Sequence, residues 1–287
     1  MDDRAMLDLI RGILVDTETS DDCSVRDIGD QFLVASTDML HETTDFPAPI
    51  TDYEIGWMSA AVTLSDIASM GAYPADLLIA VGLDRPDRLV EITRGAVACC
   101  RSVGARLAGG DIDHHTELTI VTTGIGFVGK DRILRRSGAV PGDLVCITGM
   151  PGRAEAGLRG DPRFWKHLVT PVPRVPEGIA FSEGGASAMI DLSDGIALSL
   201  SDLGRASGVG FSLDPDLFPL ITGIQRVKAE ELFLFGGGDF ELLATIPPDC
   251  FPVAGVDATV IGVVTEEKTI LSGGFPLPPK GYLHTWE

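Results

Sequence analysis

The sequence predicts a mixed chain of the α/β or α+β class, folded as two domains of similar size. Its 287 residues suit one large domain or two of ordinary size. Short apolar, β-branched runs alternate along the whole chain with segments of helical periodicity. A turn-like stretch, Ser137-Gly138-Ala139-Val140-Pro141-Gly142, interrupts the pattern near the middle and puts the boundary between 1–137 and 138–287.

The elements follow in order. Residues 3–14 carry Met6, Leu9, Ile10 and Ile13 on one helical face. Strands near 23–28 and 31–37 flank a Gly29-Asp30 turn. Thr51-Asp52-Tyr53-Glu54 has the spacing of a capping box and opens a helix with Ile55, Met58, Val62 and Ile67, which Gly71 and Pro74 close. Leu77–Leu83 reads as a strand, and Pro86 starts a helix that runs to about Val103. Strands are expected over 105–109 and 117–127. Past the break come a strand at Leu144–Thr148, a Pro-Gly turn, a proline-rich segment from Pro171 to Pro176 and a strand at Ala188–Asp191. A helix with Ile196, Leu200 and Leu203 stops at Gly208, and strands are expected near 210–213, 240–246 and 259–264. The stretch 272–281 is rich in Gly and Pro.

Composition narrows the function. Apolar residues make up 45% and charged residues 22%, which is a globular balance rather than a disordered one. Subtracting 42 acidic from 22 basic residues leaves −20, a field that repels nucleic acid and anionic lipid. The longest uncharged stretch, Leu118 to Gly129, is far short of the roughly 20 residues of a membrane span. Met1-Asp2-Asp3-Arg4 lacks the basic start of a signal peptide. Five cysteines without a Cys-x-x-Cys pair fit free thiols in a reducing cytoplasm.

The acidic residues gather where strands end or turns begin: Asp21-Asp22, Asp38, Asp111 and Asp113, Asp191 and Asp194, Asp239 and Glu241. Small or hydroxyl residues flank them, as in Ser36-Thr37-Asp38, Gly109-Gly110-Asp111 and Gly236-Gly237-Gly238-Asp239. Glycine lets backbone approach a ligand closely, and carboxylate with hydroxyl supplies the hard oxygens that Mg²⁺ takes. Two carboxylates about 4 Å apart repel by about 4 kcal/mol at an effective dielectric of 20. Either these residues do not converge, or cations hold them. Bland alternatives stand beside each: a solvated turn for Asp21-Asp22, N-capping for Ser193 and Asp194, a flexible loop for the glycines, a cap for Asp38. Asp66 lies in the last turns of an apolar helix, at the negative end of its dipole, so either a cation or a solvated flank must account for it. No P-loop exists, and none of the five lysines sits in a glycine-rich loop. Any phosphate here would be neutralised by metal ions and Arg, with Arg135-Arg136-Ser137 as the local basic candidate.

Taken in order, these blocks resemble the thiamine-monophosphate kinase family, in the superfamily that includes aminoimidazole ribonucleotide synthetase. They are Asp21-Asp22-Cys23, Ser36-Thr37-Asp38-Met39-Leu40, the run Ala61 to Ala72 around Ser65-Asp66, Gly109-Gly110-Asp111, Arg136 to Asp143, Thr148 to Gly152, Ile190 to Gly195 and Gly236 to Leu242. The resemblance implies an aminoimidazole ribonucleotide synthetase-like fold of two domains, with N-terminal sheets pairing across a homodimer. It implies transfer of the γ-phosphoryl of ATP to thiamine monophosphate in a cleft holding several Mg²⁺ ions. By position it implies metal ligands at Asp22, Ser36, Thr37, Asp38, Asp66, Asp111, Asp191 and Asp194, and ATP contacts at Gly110, Asp111, Arg136 and Ser193. Asp45, Gly238 and Trp286 fall on the thiamine-contacting positions. The bacterial pattern has His at the place of Asp45 and Glu at that of Gly238. No covalent nucleophile and no general base are implied, because a phosphate acceptor is already ionised at neutral pH.

Relatives in the superfamily are less well matched. Selenophosphate synthetase needs a reactive Cys near a Lys, which Cys23 lacks, and a carbamoyl dehydratase ends in Cys where this sequence reads His284-Thr285-Trp286-Glu287. Another ATP-dependent ligase or kinase of the superfamily, and a non-catalytic Mg-nucleotide-binding relative, stay as alternatives.

Overall fold

Period-two alternation builds the first sheet. In this computed structural model, which describes residues 21–284 together with Met6, Leu7, Leu9, Ile10, Ile13 and Leu14, five strands pair in the order β1-β2-β5-β3-β4. They are β1 (Ser24–Asp27), β2 (Gln31–His41), β3 (Tyr73–Leu83), β4 (Arg106–His114) and β5 (Thr119–Gly129). Only the β3–β4 pairing is parallel. Leu77, Ile79, Val81 and Leu83 of β3 point to one face, with Ile120 of β5, and bury against two helices. Those helices are α1 (Asp52–Ser69) and α2 (Leu89–Ser102). Half of the helix expected over 3–14, and Trp286, lie outside the described residues.

The predicted capping box opens α1: the Thr51 hydroxyl accepts the Glu54 N–H at 3.3 Å and the Glu54 carboxylate accepts the Thr51 N–H at 2.8 Å. Thirteen of the 18 residues of α1 are buried, so the helix is covered on nearly all sides rather than on one stripe. Glycine makes this covering close. A Cβ on Gly56 would fall 1.8 Å from the Ile92 carbonyl oxygen of α2, and one on Gly95 would fall 1.9 Å from that of Tyr53. Gly56→Ala is therefore expected to destabilise the fold by about 2–3 kcal/mol through forced separation of the helices. The check is a lowered denaturant midpoint at unchanged slope; a midpoint equal to that of the parent protein would contradict the close crossing.

The second sheet has seven strands in the order β12-β11-β8-β10-β6-β9-β7. They are β6 (Leu144–Thr148), β7 (Ala188–Asp191), β8 (Gly210–Leu213), β9 (Leu242–Ile246), β10 (Ala258–Thr265), β11 (Ile270–Ser272) and β12 (Phe275–Pro276). Five helices accompany it: α3 (Arg153–Leu158), α4 (Trp165–Val169), α5 (Val175–Glu183), α6 (Ile196–Ser207) and α7 (Arg226–Phe235). Val145, Ile147 and Leu243 bury against α6 and α7, while Cys146, Leu242 and Ala244 bury on the other face with Phe181 of α5. Helix α5 then rides on α1, where a Cβ on Gly178 would come 2.2 Å from the Ala68 carbonyl oxygen. Helix α1 thus lies between the two sheets, touching β2, β5, β7 and α5.

Several expectations are corrected. Strand β2 runs on to His41, so Asp38 sits inside a strand and caps nothing. Strand β4 continues through Gly109-Gly110 to His114, which places Asp111 and Asp113 within it rather than at a turn. Strand β9 starts only at Leu242, because Phe240 takes a left-handed φ of 51° that breaks the extended run. Gly195, not Ser193 or Asp194, is the N-cap of α6, with no side-chain cap bond. The Gly/Pro stretch 272–281 contributes a short hairpin, β11–β12.

Candidate active site

Helix α1 is the hub of the site. It carries Thr63, Ser65, Asp66 and Ser69 in the turns where β2, β7 and the segment before β1 meet it. Strand β2 turns Ser36 and Asp38 toward α1, and the end of β7 supplies Asp191. Each of four carboxylates accepts one hydroxyl hydrogen bond. Thr63 donates to Asp38 at 2.6 Å, Ser65 to Asp191 at 2.8 Å and Ser36 to Asp66 at 2.5 Å, and Ser69 donates to Asp22. One carboxylate oxygen each of Asp22, Asp66 and Asp191 lies within 4.8 Å of the others.

Arg136 places its guanidinium on Asp22, with Nε at 2.8 Å from Oδ1. The neighbouring Asp21 receives the Arg135 guanidinium at 2.6 Å and the Arg136 backbone N–H at 2.9 Å. Burial raises the Asp66 carboxyl well above its usual range, and the charges of Asp38, Asp191 and Asp22 push it further. Burial also raises Asp191, with Asp22 adding to it against the Ser65 hydrogen bond and Arg136. Asp38 is raised by burial and by Asp22, against the Thr63 hydrogen bond. Such a cluster of hard oxygens with opposing charge in short supply fits a divalent cation of the Mg²⁺ kind. The Cys23 thiol donates to the Asp66 carbonyl at 3.4 Å, and burial with the nearby carboxylates raises its pKa, so it is no nucleophile at neutral pH.

These shifts fix a pH dependence. Raised carboxyls keep protons in the fold that the unfolded chain has already released above its ordinary value of 3.8, so metal-free stability falls as pH rises from there. The metal-free protein is expected to melt a few °C higher near pH 5 than near pH 8, and Mg²⁺ at the higher pH to recover most of the difference. Asp239, raised to about 7 chiefly by burial, adds a slope of the same sign that Mg²⁺ leaves in place. Thermal melts with and without Mg²⁺ check this; a slope that the cation does not alter would contradict it.

A cleft of about 650 Å³ opens beside Asp38. Its floor is apolar, with Met58, Val62 and Phe240, and its rim includes Asp45, Phe46, Ser193, Asp194, Glu155, Leu168 and Tyr282. The loop Gly236–Glu241 forms one side and is knitted to the turn after β7. Gly238 N–H donates to the Ser193 carbonyl at 2.7 Å, Phe240 N–H to that of Leu192 at 3.0 Å, and Leu192 N–H to that of Glu241 at 2.8 Å. The acids of this loop are anchors. Asp239 accepts the Gly152 and Ala154 N–H groups at 2.6 and 2.9 Å, and Glu241 accepts Thr148, Arg153 and Arg174 at 2.7, 3.0 and 2.7 Å. Both hold α3 against the cleft.

The other expected site residues divide. Asp45 lines the cleft, but its Oδ2 accepts the His41 N–H at 2.8 Å and the Thr44 hydroxyl at 2.7 Å. Ser193, Asp194 and Gly238 line it as well. Thr37 faces away from Asp38, on the outer side of the sheet, where its hydroxyl donates to the Thr122 carbonyl at 2.9 Å. Gly110 and Asp111 are not brought to the cluster. The register runs Asp38, Thr122, Ile79, Gly110 across β2, β5, β3 and β4, three strand spacings or about 14 Å. Asp111 shares the outer side with Ala80 and lines a separate hollow of about 270 Å³ with His41, His114 and His115. The hydroxyls of Thr63, Ser65 and Ser69 were not singled out from the sequence; their signal is a run of hydroxyl residues inside an apolar helix.

Fold and site together define a two-sheet α/β protein with a buried carboxylate cluster, fit for a divalent cation, beside an apolar-floored cleft. Residues 20–128 match the family model of AIR synthase related protein, N-terminal domain. Thiamine-monophosphate kinase of Methanospirillum hungatei JF-1 is 50% identical over 286 residues, covering 100% of both chains. That of Halobacterium salinarum is 38% identical over 297 residues, covering 99% of this chain and 100% of the relative. The chain belongs to the thiamine-monophosphate kinase family. Among solved structures, AaThiL complexed with AMPPCP and TMP superposes with a TM-score of 0.91 at 25% identity, covering 99% of this chain and 97% of that one. Hydrogenase maturation protein HypE in complex with ATP shares the fold at a TM-score of 0.71 and 19% identity.

Proposed function

We propose that the chain transfers the γ-phosphoryl group of ATP to the phosphate of thiamine monophosphate, giving thiamine diphosphate and ADP. The observation that carries this is the carboxylate cluster of Asp22, Asp66 and Asp191, with Asp38 joining it to an apolar-floored cleft. Asp22, Asp38, Asp66, Asp191 and Asp194 would hold Mg²⁺, with the Ser36 hydroxyl of β2 beside them and Thr37 on the other face of that strand. Bound Mg²⁺ supplies charge neutralisation on the phosphate oxygens, which lets two polyanions approach in line. The chain itself does the positioning. Hydroxyls of α1 and β2 fix the carboxylate orientations, and the Arg136 guanidinium holds Asp22 in place. An acceptor phosphate oxygen forms the new bond to the γ-phosphorus as the bond to the leaving ADP oxygen breaks. No side chain need take a proton, because the acceptor is already an anion.

On the same reading Gly110, Asp111, Arg136 and Ser193 contact ATP, and Asp45, Gly238 and Trp286 contact the thiamine moiety. The homodimer pairs the first sheets through their outer faces. Exposed Met39, Leu78 and Tyr73 on that outer face support this, and pairing would also give Asp111 a site to serve. The division at 1–137 and 138–287 follows the two sheets. A cytoplasmic location accords with five free cysteines and with the lack, among the described residues, of a helix long and apolar enough to cross a membrane.

The test is incubation of the purified protein with ATP, Mg²⁺ and thiamine monophosphate, followed by phosphorus NMR. Thiamine diphosphate and ADP in equal amounts, abolished by EDTA, are expected. ATP consumption without thiamine diphosphate would overturn the reading.

A further inference from the structure

Beyond Asp38 the cleft runs over Met58, Val62 and Phe240 toward the first turn of α3. Its lining holds Asp38, Asp45, Glu155 and Asp194 and, among the described residues, no lysine or arginine. Asp38 stands with the carboxylate cluster, Asp194 belongs to the turn after β7, and Asp45 accepts from its own turn through His41 and Thr44. Glu155 is different. It stands on α3, packed on the glycine loop so closely that a Cβ on Gly236 would lie 2.8 Å from the Glu155 Cβ. Gly238 beside it brings no side chain into that corner. The Glu155 side chain is 21% exposed, and its Oε1 accepts Arg159 Nε at 2.7 Å on the outer side. Arg159 is itself shared with Glu231 at 3.0 Å, so two carboxylates face one guanidinium and the corner keeps a net negative charge.

We infer that Glu155 is a specificity-determining residue, whose carboxylate supplies the counter-charge for a flat, permanently cationic aromatic ring lying on the apolar floor. The inference rests on the proposed function, since the thiazolium of thiamine monophosphate is such a ring. A cation taken out of water needs a partner charge, and the aromatic ring of Phe240 in the cleft lining offers a second attraction. A neutral ring of the same shape would give the Glu155 carboxylate no partner beyond the guanidinium it shares with Glu231, so the site discriminates against it. Phe240 is held for this role in an uncommon backbone conformation, φ 51°, by its hydrogen bond to Leu192.

The experiment compares thiamine monophosphate with its neutral isostere, in which a thiophene replaces the thiazolium, as substrates of the full chain with ATP and Mg²⁺. The parent protein is expected to prefer the cationic substrate in kcat/KM by about tenfold or more. In Glu155→Gln the KM for thiamine monophosphate rises about tenfold, kcat and the KM for ATP hold, and the preference shrinks to about twofold or less. Arg159→Gln, which breaks the surface pair and leaves the carboxylate, keeps the preference. An active Glu155→Gln with the parent preference would overturn the inference alone, as would an Arg159→Gln that loses it equally. A parent protein that phosphorylates neither substrate would overturn the proposed function, and the inference with it.

Discussion

Asp66→Asn is expected to lower kcat/KM for thiamine diphosphate formation by about 10³-fold or more while raising the melting temperature of the metal-free protein. The two signs come from one cause. Asp66 sits on α1 among Asp22, Asp38 and Asp191, where burial and their charges oppose its ionisation. An isosteric amide removes a buried like charge and keeps an oxygen that can accept from the Ser36 hydroxyl. It also removes a ligand oxygen from the cluster. Steady-state assay and thermal melts in EDTA measure the two effects on one sample. Loss of activity together with loss of metal-free stability would mean that Asp66 serves the fold, and the ligand assignment would then be wrong.

Arg136→Gln is expected to have the largest effect on stability. The Asp22 side chain is 1% exposed and takes the Arg136 guanidinium and the Ser69 hydroxyl as partners. Breaking a buried pair by removing one member leaves a charge uncompensated and costs about 3–5 kcal/mol. The metal-free variant should therefore melt about 6–15 °C lower. Added Mg²⁺ should restore part of that loss, since the cation can compensate Asp22 in place of the guanidinium. Arg136→Lys, which keeps the charge and loses the two-armed geometry, should fall between the two. A melting temperature for Arg136→Gln within a degree of the parent would show that Asp22 is not held in this way.

Much of the site was legible because carboxylate and hydroxyl residues stand out against apolar surroundings. Asp66 was conspicuous as a charge in an apolar helix near the wrong dipole end, and its three carboxylate neighbours account for it only if a cation joins them. Period-two alternation separates Thr37 from Ser36 and Asp38, so the block Ser36-Thr37-Asp38 serves two faces of β2 and not one. Convergence itself was not legible: Asp22, Asp66 and Asp191 come from segments far apart in the chain. It depends on α1 lying between the sheets, which the Gly56, Gly95 and Gly178 approaches permit. Helices α3, α4, α5 and α7 were not assigned from the sequence. They span 5–10 residues, and Pro or Gly punctuates the stretches around the first three, so the periodic signal is short. Strand β4 was cut short because two consecutive glycines read as a turn, whereas a Cβ at Gly110 would lie 1.6 Å from the Ile79 oxygen and only glycine permits that pairing.

The central claim is that acidic side chains from both halves of the chain hold divalent cations beside the transferred phosphoryl group. Crystals grown with Mn²⁺ and a non-hydrolysable ATP analogue test it most directly, by anomalous diffraction at the manganese edge. The account predicts anomalous peaks bonded to the carboxylates of Asp22, Asp66 and Asp191 and bridging to the triphosphate. Peaks confined to other residues, with those three carboxylates contacting no metal, would contradict it.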